Sequence, residues 1–492
     1  MIGIAVLIVY GLLLSFILLF SIVQLQLTAA YLRRRRGGAV PPPVMDGGEP
    51  FVTVQLPLYN ERHVVQRLID QVARMQWPRN RFEVQVLDDS TDETQGLAEE
   101  RVAHWRDQGI DIVHVRRPDR TGFKAGALAY GLERAKGDLI AVFDADFLPP
   151  ADMLHKVAPW FSDPKLGMVQ TRWGHVNRDA NLLTQLQAFG LDAHFSVEQG
   201  GRNSLGHFIN FNGTAGVWRK ECILDAGGWC SDTLTEDLDL SYRAQLNGWR
   251  FQFLEDVVSP AELPAAMNAL KTQQYRWNKG AAECVVKNLP KVLHDGSIPV
   301  ATKLHAVFHL MNSTVFVSIL GTALLSVPLL LVKQAHPELK VLFNIAVVFT
   351  FALLVLIAFY WAAHRERLHG WRGTLRFLWT FLVFLSVSMG LSLHNALAVI
   401  EGYLGRRTPF LRTPKSGALA TGTAIQRDSY SKSAIAPLTV IEGAIAAYAV
   451  LGIVIAFRIG DLGLLPYHAM LALGFGAVCY YSVVHSLRTA GR

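Results

Sequence analysis

Cysteine is scarce, with four in 492 residues (Cys222, Cys230, Cys284, Cys479) and no Cys-x-x-Cys pair. That excludes a disulfide scaffold and removes the usual sign of structural zinc. Charge is also sparse: Asp, Glu, Lys and Arg make up 18% of the chain against 51% hydrophobic residues. Such a balance excludes disorder and argues against a purely soluble protein. No Gly-x-x-x-x-Gly-Lys-Ser/Thr loop and no strand-linked Gly-x-Gly-x-x-Gly occurs, so P-loop and Rossmann sites lose their main support. The net charge of +7 is compatible with a nucleic-acid or a membrane partner. Many of the cations flank apolar runs, which favours membrane lipids and no nucleic acid.

Met1–Leu32 carries no charged side chain and exceeds the ~20 residues a helix needs to cross hydrocarbon. It is too long for a secretory apolar region, and no small-residue cleavage site follows. Arg33, Arg34, Arg35 and Arg36 come next and place the following chain in the cytoplasm. Residues 33–50 are a basic and Pro/Gly-rich linker. Apolar runs return at Ala306–Val332, Val341–Ala363, Phe377–Ile400, Ala434–Phe457 and Leu462–Leu487. The basic stretches His364–Arg376 and Glu401–Ser433 both favour the cytoplasm, so residues 377–404 are expected to be interfacial or re-entrant. Five spanning helices then remain, with the N-terminus outside and the C-terminus inside. The expected domains are a spanning helix at 1–32, a catalytic domain at 51–262, amphipathic interface helices at 263–304 and a transmembrane channel region at 305–492. No folded domain is expected after the last apolar run. Glu442 is the one carboxylate inside the spanning runs. An intramembrane acid faces a cavity or a partner, so Glu442 either lines a polar channel or sits near the interface or a basic residue, with His394 a candidate partner.

Between residues 51 and 300 the pattern is soluble-like. Short apolar runs (Val52–Leu58, Val84–Leu87, Ile110–Val115, Leu139–Phe143) alternate with helix-like stretches (His63–Met75, Glu93–Arg106, Ala125–Ala135). Such alternation predicts an α/β fold with a mostly parallel sheet. Ligands then sit beyond the carboxyl ends of strands. Three of those ends carry acid or Asn: Tyr59-Asn60-Glu61, Asp88-Asp89-Ser90-Thr91-Asp92 and Asp144-Ala145-Asp146. Two carboxylates at i and i+2 suit a hard cation that keeps waters and takes phosphate oxygens; a solvated turn is the plainer alternative. Lys124 opens a helix-like segment, a placement that suits a phosphate or a simple helix start. Glu236, Asp237 and Asp239 crowd the first turn of Leu238–Leu246, where the helix dipole favours acids and where Asp237 could serve as a general base. Gln273-Gln274-Tyr275-Arg276-Trp277 lies on an amphipathic stretch, either as a membrane anchor or as a site where Arg276 meets a diphosphate and Trp277 a sugar ring.

Taken in order, these motifs resemble a membrane-bound family-2 glycosyltransferase with the GT-A fold. They are similar to cellulose synthase and to the cellulose synthase-like mannan and glucan synthases. The resemblance is carried by Pro57–Glu61, Leu87–Asp92, Lys124–Leu128, Asp144–Asp146, Val169–Trp173, Phe211–Gly216, Thr235–Asp237 and Gln273–Trp277. A further stretch, Phe410-Leu411-Arg412-Thr413-Pro414-Lys415, resembles the gating loop of cellulose synthases but has Arg412 where the family usually has Val. Residues 405–433 are therefore expected to be gating-like, with Phe410, Thr413 and Lys415 as the matching positions; a basic membrane-flanking loop is the alternative.

The resemblance implies roles. Tyr59, Glu61, Asp88 and Asp89 would hold the nucleoside, with Lys124, Asp144, Gln273 and Arg276 along the rest of the nucleotide sugar. Asp144 and Asp146 would bind Mg²⁺ or Mn²⁺. Asp237, with Glu236 beside it, would deprotonate the acceptor. Trp277, Trp173, Phe211, Asn212 and Gly213 would bind acceptor sugar. The implied activity is inverting, metal-dependent hexosyl transfer that extends and translocates a β-linked polysaccharide such as glucan or mannan, with β-1,4 the preferred linkage and UDP-glucose preferred over GDP-mannose as donor. Two other functions compete: non-processive synthesis of a β-glycosyl glycolipid, and a non-enzymatic sugar transporter or scaffold.

Overall fold

The computed structural model describes residues 2–38, 41–45, 48–339, 346–406, 408 and 437–490. Seven strands form one sheet in the order β3-β2-β1-β4-β6-β5-β7. They are β1 (Val52–Leu58), β2 (Phe82–Asp88), β3 (Ile112–Val115), β4 (Leu139–Val142), β5 (Leu166–His175), β6 (Gly216–Arg219) and β7 (Arg250–Ala261). Strands β3, β2, β1 and β4 run parallel. Only β6 is antiparallel to its neighbours β4 and β5, and β5 pairs in parallel with β7. The expected α/β, mostly parallel GT-A sheet is what the chain forms.

Strand β1 shows why this sequence makes a two-sided layer. Side chains alternate along a strand. Val52, Val54 and Leu56 therefore share one face and are buried against Leu68, Ile69 and Val72 of helix Val65–Ala73. Each such burial contributes about 1.5–3 kcal/mol. The opposite face carries Thr53 and Gln55, which are also buried and which bond across the strand pair. Thr53 Oγ1 donates to Glu83 at 2.6 Å and Gln55 Nε2 to Gln85 at 3.0 Å. Helix Phe123–Leu132 packs over β1 and β2. Because β1 lies between β2 and β4, the strand order reverses at β1, and the crevice beyond the strand ends opens there.

Among the described residues, five helices are long and apolar enough to cross a membrane: Gly3–Arg36, Val300–Ala335, Gly370–Gly390, Pro437–Ile459 and Leu465–Leu487. Four coincide with expected spans. The fifth differs: Gly370–Gly390 is a 21-residue helix, followed by Ser392–Tyr403, which packs along helix Met267–His294. Among the described residues of the expected span 341–363, the 3-10 turn Ala346–Phe349 leads into helix Thr350–His364 of 15 residues, about 22 Å at the usual rise. Gly390 and Gly474 bring helices 370–390 and 465–490 together, because a Cβ on Gly390 would collide with the Gly474 backbone and one on Gly474 with Ser386. Small residues permit this close backbone approach.

Glu442 is fully buried and pairs with Lys271, Nζ to Oε2 at 2.7 Å. Lys271 also donates to Ser482 Oγ at 2.8 Å. His394 Nε2 meets the Lys271 carbonyl at 3.0 Å and not the acid. Of the two expectations for Glu442, the basic partner is the one realised. The pair fastens the amphipathic helix Met267–His294 to the apolar helix bundle.

Candidate active site

The acid-bearing strand ends converge on one cleft. Tyr59 and Glu61 follow β1, Asp89 follows β2, and Asp144 and Asp146 follow β4; all five line it. Lys124 enters from the start of helix Phe123–Leu132 and Glu236 and Asp237 from the first turn of helix Glu236–Leu246. Gln273, Arg276 and Trp277 enter from helix Met267–His294. Their spacing of three and four residues puts them on one helix face. Trp173, Asn212 and Gly213 complete the set that sequence had singled out.

Lys124 is the electrostatic hub. Its Nζ lies 2.6 Å from Asp144 Oδ1, 3.9 Å from Glu236 Oε1 and 2.8 Å from the Gly213 carbonyl. Burial alone would push the ammonium down, but Asp144 and Glu236 outweigh it and hold its pKa above the ordinary lysine value. Asp237 lies at the floor. Burial, reinforced by the neighbouring Glu236 charge, pushes its carboxyl up to about 7. Burial likewise raises Glu236. Gly213 is required beside this acid: its φ is +80°, and a Cβ there would sit 2.9 Å from Asp237 Oδ2. The third acid of that helical turn has a different task. Asp239 is fully buried and accepts from Arg243 Nε at 2.8 Å, Lys287 Nζ at 3.0 Å and Asn288 Nδ2 at 3.0 Å.

Beyond the end of β2, Arg117 clamps Asp89 through two bonds, Nε to Oδ1 at 2.7 Å and Nη2 to Oδ2 at 2.6 Å. Arg120 stacks 3.3 Å above the Tyr59 ring. At the other end, the Trp173 and Trp277 rings lie 6.3 Å apart at 56° and make an aromatic wall suited to a sugar face.

Two residues expected in the site stand outside it. Asp88 is buried, with His114 Nε2 at 2.9 Å and the Ser90 N–H donating at 2.9 Å. Burial would raise its carboxyl, but the His114 and Ser90 hydrogen bonds hold it below the usual range. Phe211 is fully buried in the core against Trp218 and Trp229. Phe410, Thr413 and Lys415 lie outside the described residues. Sequence reasoning missed Arg117, Arg120, His175 and Glu262; the last three line the cleft. The two arginines lie in the loop after β3, where the strand-end rule applies, and His175 shares the β5 face of Trp173.

Asp144 and Asp146 fit a hard divalent cation. Both line the same cleft, where Asp144 Oδ1 bears the Lys124 ammonium that a cation would displace. Two carboxylates with room for phosphate and water is the donor set Mg²⁺ takes.

A mostly parallel sheet with acids at its strand ends and a buried carboxyl in the cleft is a GT-A-like domain. Residues 50–280 match the family described as glycosyltransferase like family 2. The chain is 43% identical over 264 residues to glucomannan 4-beta-mannosyltransferase 1 of Cyamopsis tetragonoloba, covering 53% of this chain and 50% of that protein. It is 35% identical over 375 residues to probable glucomannan 4-beta-mannosyltransferase 6 of Oryza sativa subsp. japonica, covering 75% and 63% respectively. The chain thus spans about half the length of the first curated relatives it matches. Among solved structures, the mannosyltransferase PcManGT from Pyrobaculum calidifontis in complex with GDP-Man and Mn²⁺ aligns with a TM-score of 0.49 at 22% identity, over 73% of this chain and 99% of that one.

Proposed function

We propose that this protein is an inverting, membrane-embedded glycosyltransferase that adds hexose from a nucleotide sugar to a growing β-1,4-linked polysaccharide, with mannose as the preferred sugar. The observation that carries this is Asp237: a buried carboxyl raised to about 7, at the floor of the cleft beside Gly213 and close to Lys124. A base poised near neutrality suits proton removal from a sugar hydroxyl.

In this mechanism Asp237 takes the proton of the acceptor hydroxyl as its oxygen attacks the anomeric carbon. The bond to the nucleoside diphosphate breaks on the opposite face, so an α-linked donor gives a β-glycoside. Lys124 and Arg276 stabilise the departing diphosphate charge. Tyr59, Arg120 and the Arg117-clamped Asp89 hold the nucleoside, while Trp173 and Trp277 stack on acceptor sugars. Asp144 and Asp146 would hold Mg²⁺ or Mn²⁺, and the ion would neutralise diphosphate charge.

The names of the plant relatives support mannosyl transfer, so GDP-mannose replaces UDP-glucose as the favoured donor. A second cavity, lined in part by Gln273, Trp277, Asn312, Tyr360 and Asn395, shares Gln273 and Trp277 with the cleft and runs among the apolar helices. That continuity favours a polymer passing toward the membrane over a single sugar placed on a lipid. The five apolar helices and the arginines at 33–36 support a cytoplasmic catalytic domain. Purified protein supplied separately with GDP-mannose, UDP-glucose and UDP-GlcNAc, plus Mn²⁺ or Mg²⁺, tests the donor assignment. Nucleotide release with GDP-mannose is expected; turnover of UDP-glucose alone would reject mannose.

A further inference from the structure

The Asn212 side chain is held at both ends by residues of one π-helical turn, His194–Gln199. Such turns displace side chains from α-helical register and recur at functional sites. Gln199 Nε2 donates to the Asn210 carbonyl at 2.8 Å and to Asn212 Oδ1 at 2.7 Å. The carbonyl can only accept, so the Gln199 amide is oriented, and with it the Asn212 oxygen. On the other side, His194 Nδ1 lies 2.7 Å from Glu198 Oε2, and His194 Nε2 lies 3.2 Å from Asn212 Nδ2.

Glu198 fixes the tautomer. The carboxylate is buried, and burial would raise it. Arg202, 3.8 Å away, and the His194 and Gln24 hydrogen bonds outweigh that and hold it at about 2. It is therefore ionised and accepts the Nδ1 proton. Because Asn212 Oδ1 takes the Gln199 donor, Asn212 Nδ2 faces His194 Nε2, so Nε2 is the acceptor and the proton shared with Glu198 sits on Nδ1. The carboxylate's other oxygen accepts from Gln24 Nε2 at 2.5 Å, on helix Gly3–Arg36. Asn212 lines the cleft, and the neighbouring Gly213 lies against the Asp237 carboxylate.

We propose that His194, oriented by Glu198, is a positioning residue that locks the Asn212 amide so that it registers the acceptor sugar hydroxyls against Asp237. This rests on the acceptor pocket proposed above. His194 itself touches no reacting atom.

The test uses the full-length protein in detergent with GDP-mannose and Mn²⁺. It measures mannose incorporated into alcohol-insoluble product, the KM for GDP-mannose and the binding stoichiometry of GDP. His194→Phe keeps a ring and removes both hydrogen bonds. It should lower kcat for incorporation about tenfold, the worth of one such bond, with donor KM and GDP stoichiometry within about twofold. His194→Gln, whose oxygen can reach the Nε2 position, should restore most of the rate. In an Asn212→Ala background, which should itself be impaired, His194→Phe should add almost nothing, because coupled residues are non-additive. Wild-type incorporation in His194→Phe, loss of GDP binding with incorporation, failure of the Gln variant to rescue, or an unimpaired Asn212→Ala would each overturn the proposal. Absence of any incorporation by the wild type rejects the mannosyltransferase assignment instead.

Discussion

Lys271 and Glu442 meet 2.7 Å apart although 171 residues separate them, with side chains 10% and 0% exposed. Lys271 stands two residues before Gln273 on the helix that also brings Arg276 and Trp277 into the cleft. The pair therefore fixes that helix to the apolar bundle behind it.

Glu442→Leu should destabilise the protein in detergent by about 3–5 kcal/mol, because it strands a buried ammonium. The double change Lys271→Met with Glu442→Leu should recover most of that loss. Thermal unfolding of the three proteins checks this. An unaltered Tm in Glu442→Leu would show that the pair does not hold the helix.

Asp237→Asn should lower transfer about 10²–10⁴-fold while nucleotide binding persists. The same change should raise the Tm of the nucleotide-free protein above pH 7. A carboxyl raised to about 7 makes the folded state bind more protons than the unfolded one. Its stability contribution is complete below the unfolded carboxylate value and is lost as pH rises through about 7. Wild-type kcat/KM should fall about tenfold per unit on the acid side of that value. A flat acid limb, or a lower Tm for the Asn variant at pH 8, would contradict the base assignment.

Asp146→Ala should weaken Mn²⁺-dependent GDP binding as well as turnover, measured by titration calorimetry with and without the ion. Equal Mn²⁺-dependent affinities in the two proteins would exclude Asp146 as a ligand.

Asp88→Asn should lower Tm while the folded fraction binds GDP within about twofold of wild type, because the group braces His114 and the Ser90 turn and a neutral amide weakens those charge-assisted bonds. Arg120→Ala, over Tyr59, should do the reverse, weakening nucleotide binding with little change in Tm. Weakened GDP binding by folded Asp88→Asn would return Asp88 to the nucleoside site.

The sheet was legible because β1, β2 and β4 are short apolar runs closed by acids, and the rule placing ligands at strand ends then located Glu61, Asp89, Asp144 and Asp146. The assignments of Asp88 and Phe211 to the site were not confirmed, for one shared reason. Adjacent residues on an extended chain point to opposite sides, so Asp88 turns inward as Asp89 turns to the cleft, and Phe211 enters the core as Asn212 leaves it. A motif gives residue order but not facing. His194, Glu198 and Gln24 were illegible because their contacts join distant segments and depend on a π-helical turn that no local pattern announces. Glu442 was singled out correctly as an expensive buried acid, but its partner lay on a helix with no periodic relation to it.

The central claim is transfer of mannose into a β-1,4-linked polymer, and linkage analysis of the radiolabelled product tests it most directly. Detergent-purified protein given GDP-[¹⁴C]mannose and Mn²⁺ should form an alcohol-insoluble product that yields 4-linked mannose on methylation and that endo-β-1,4-mannanase degrades. A chloroform-soluble monoglycoside, an α-linked product or no incorporated mannose would contradict it.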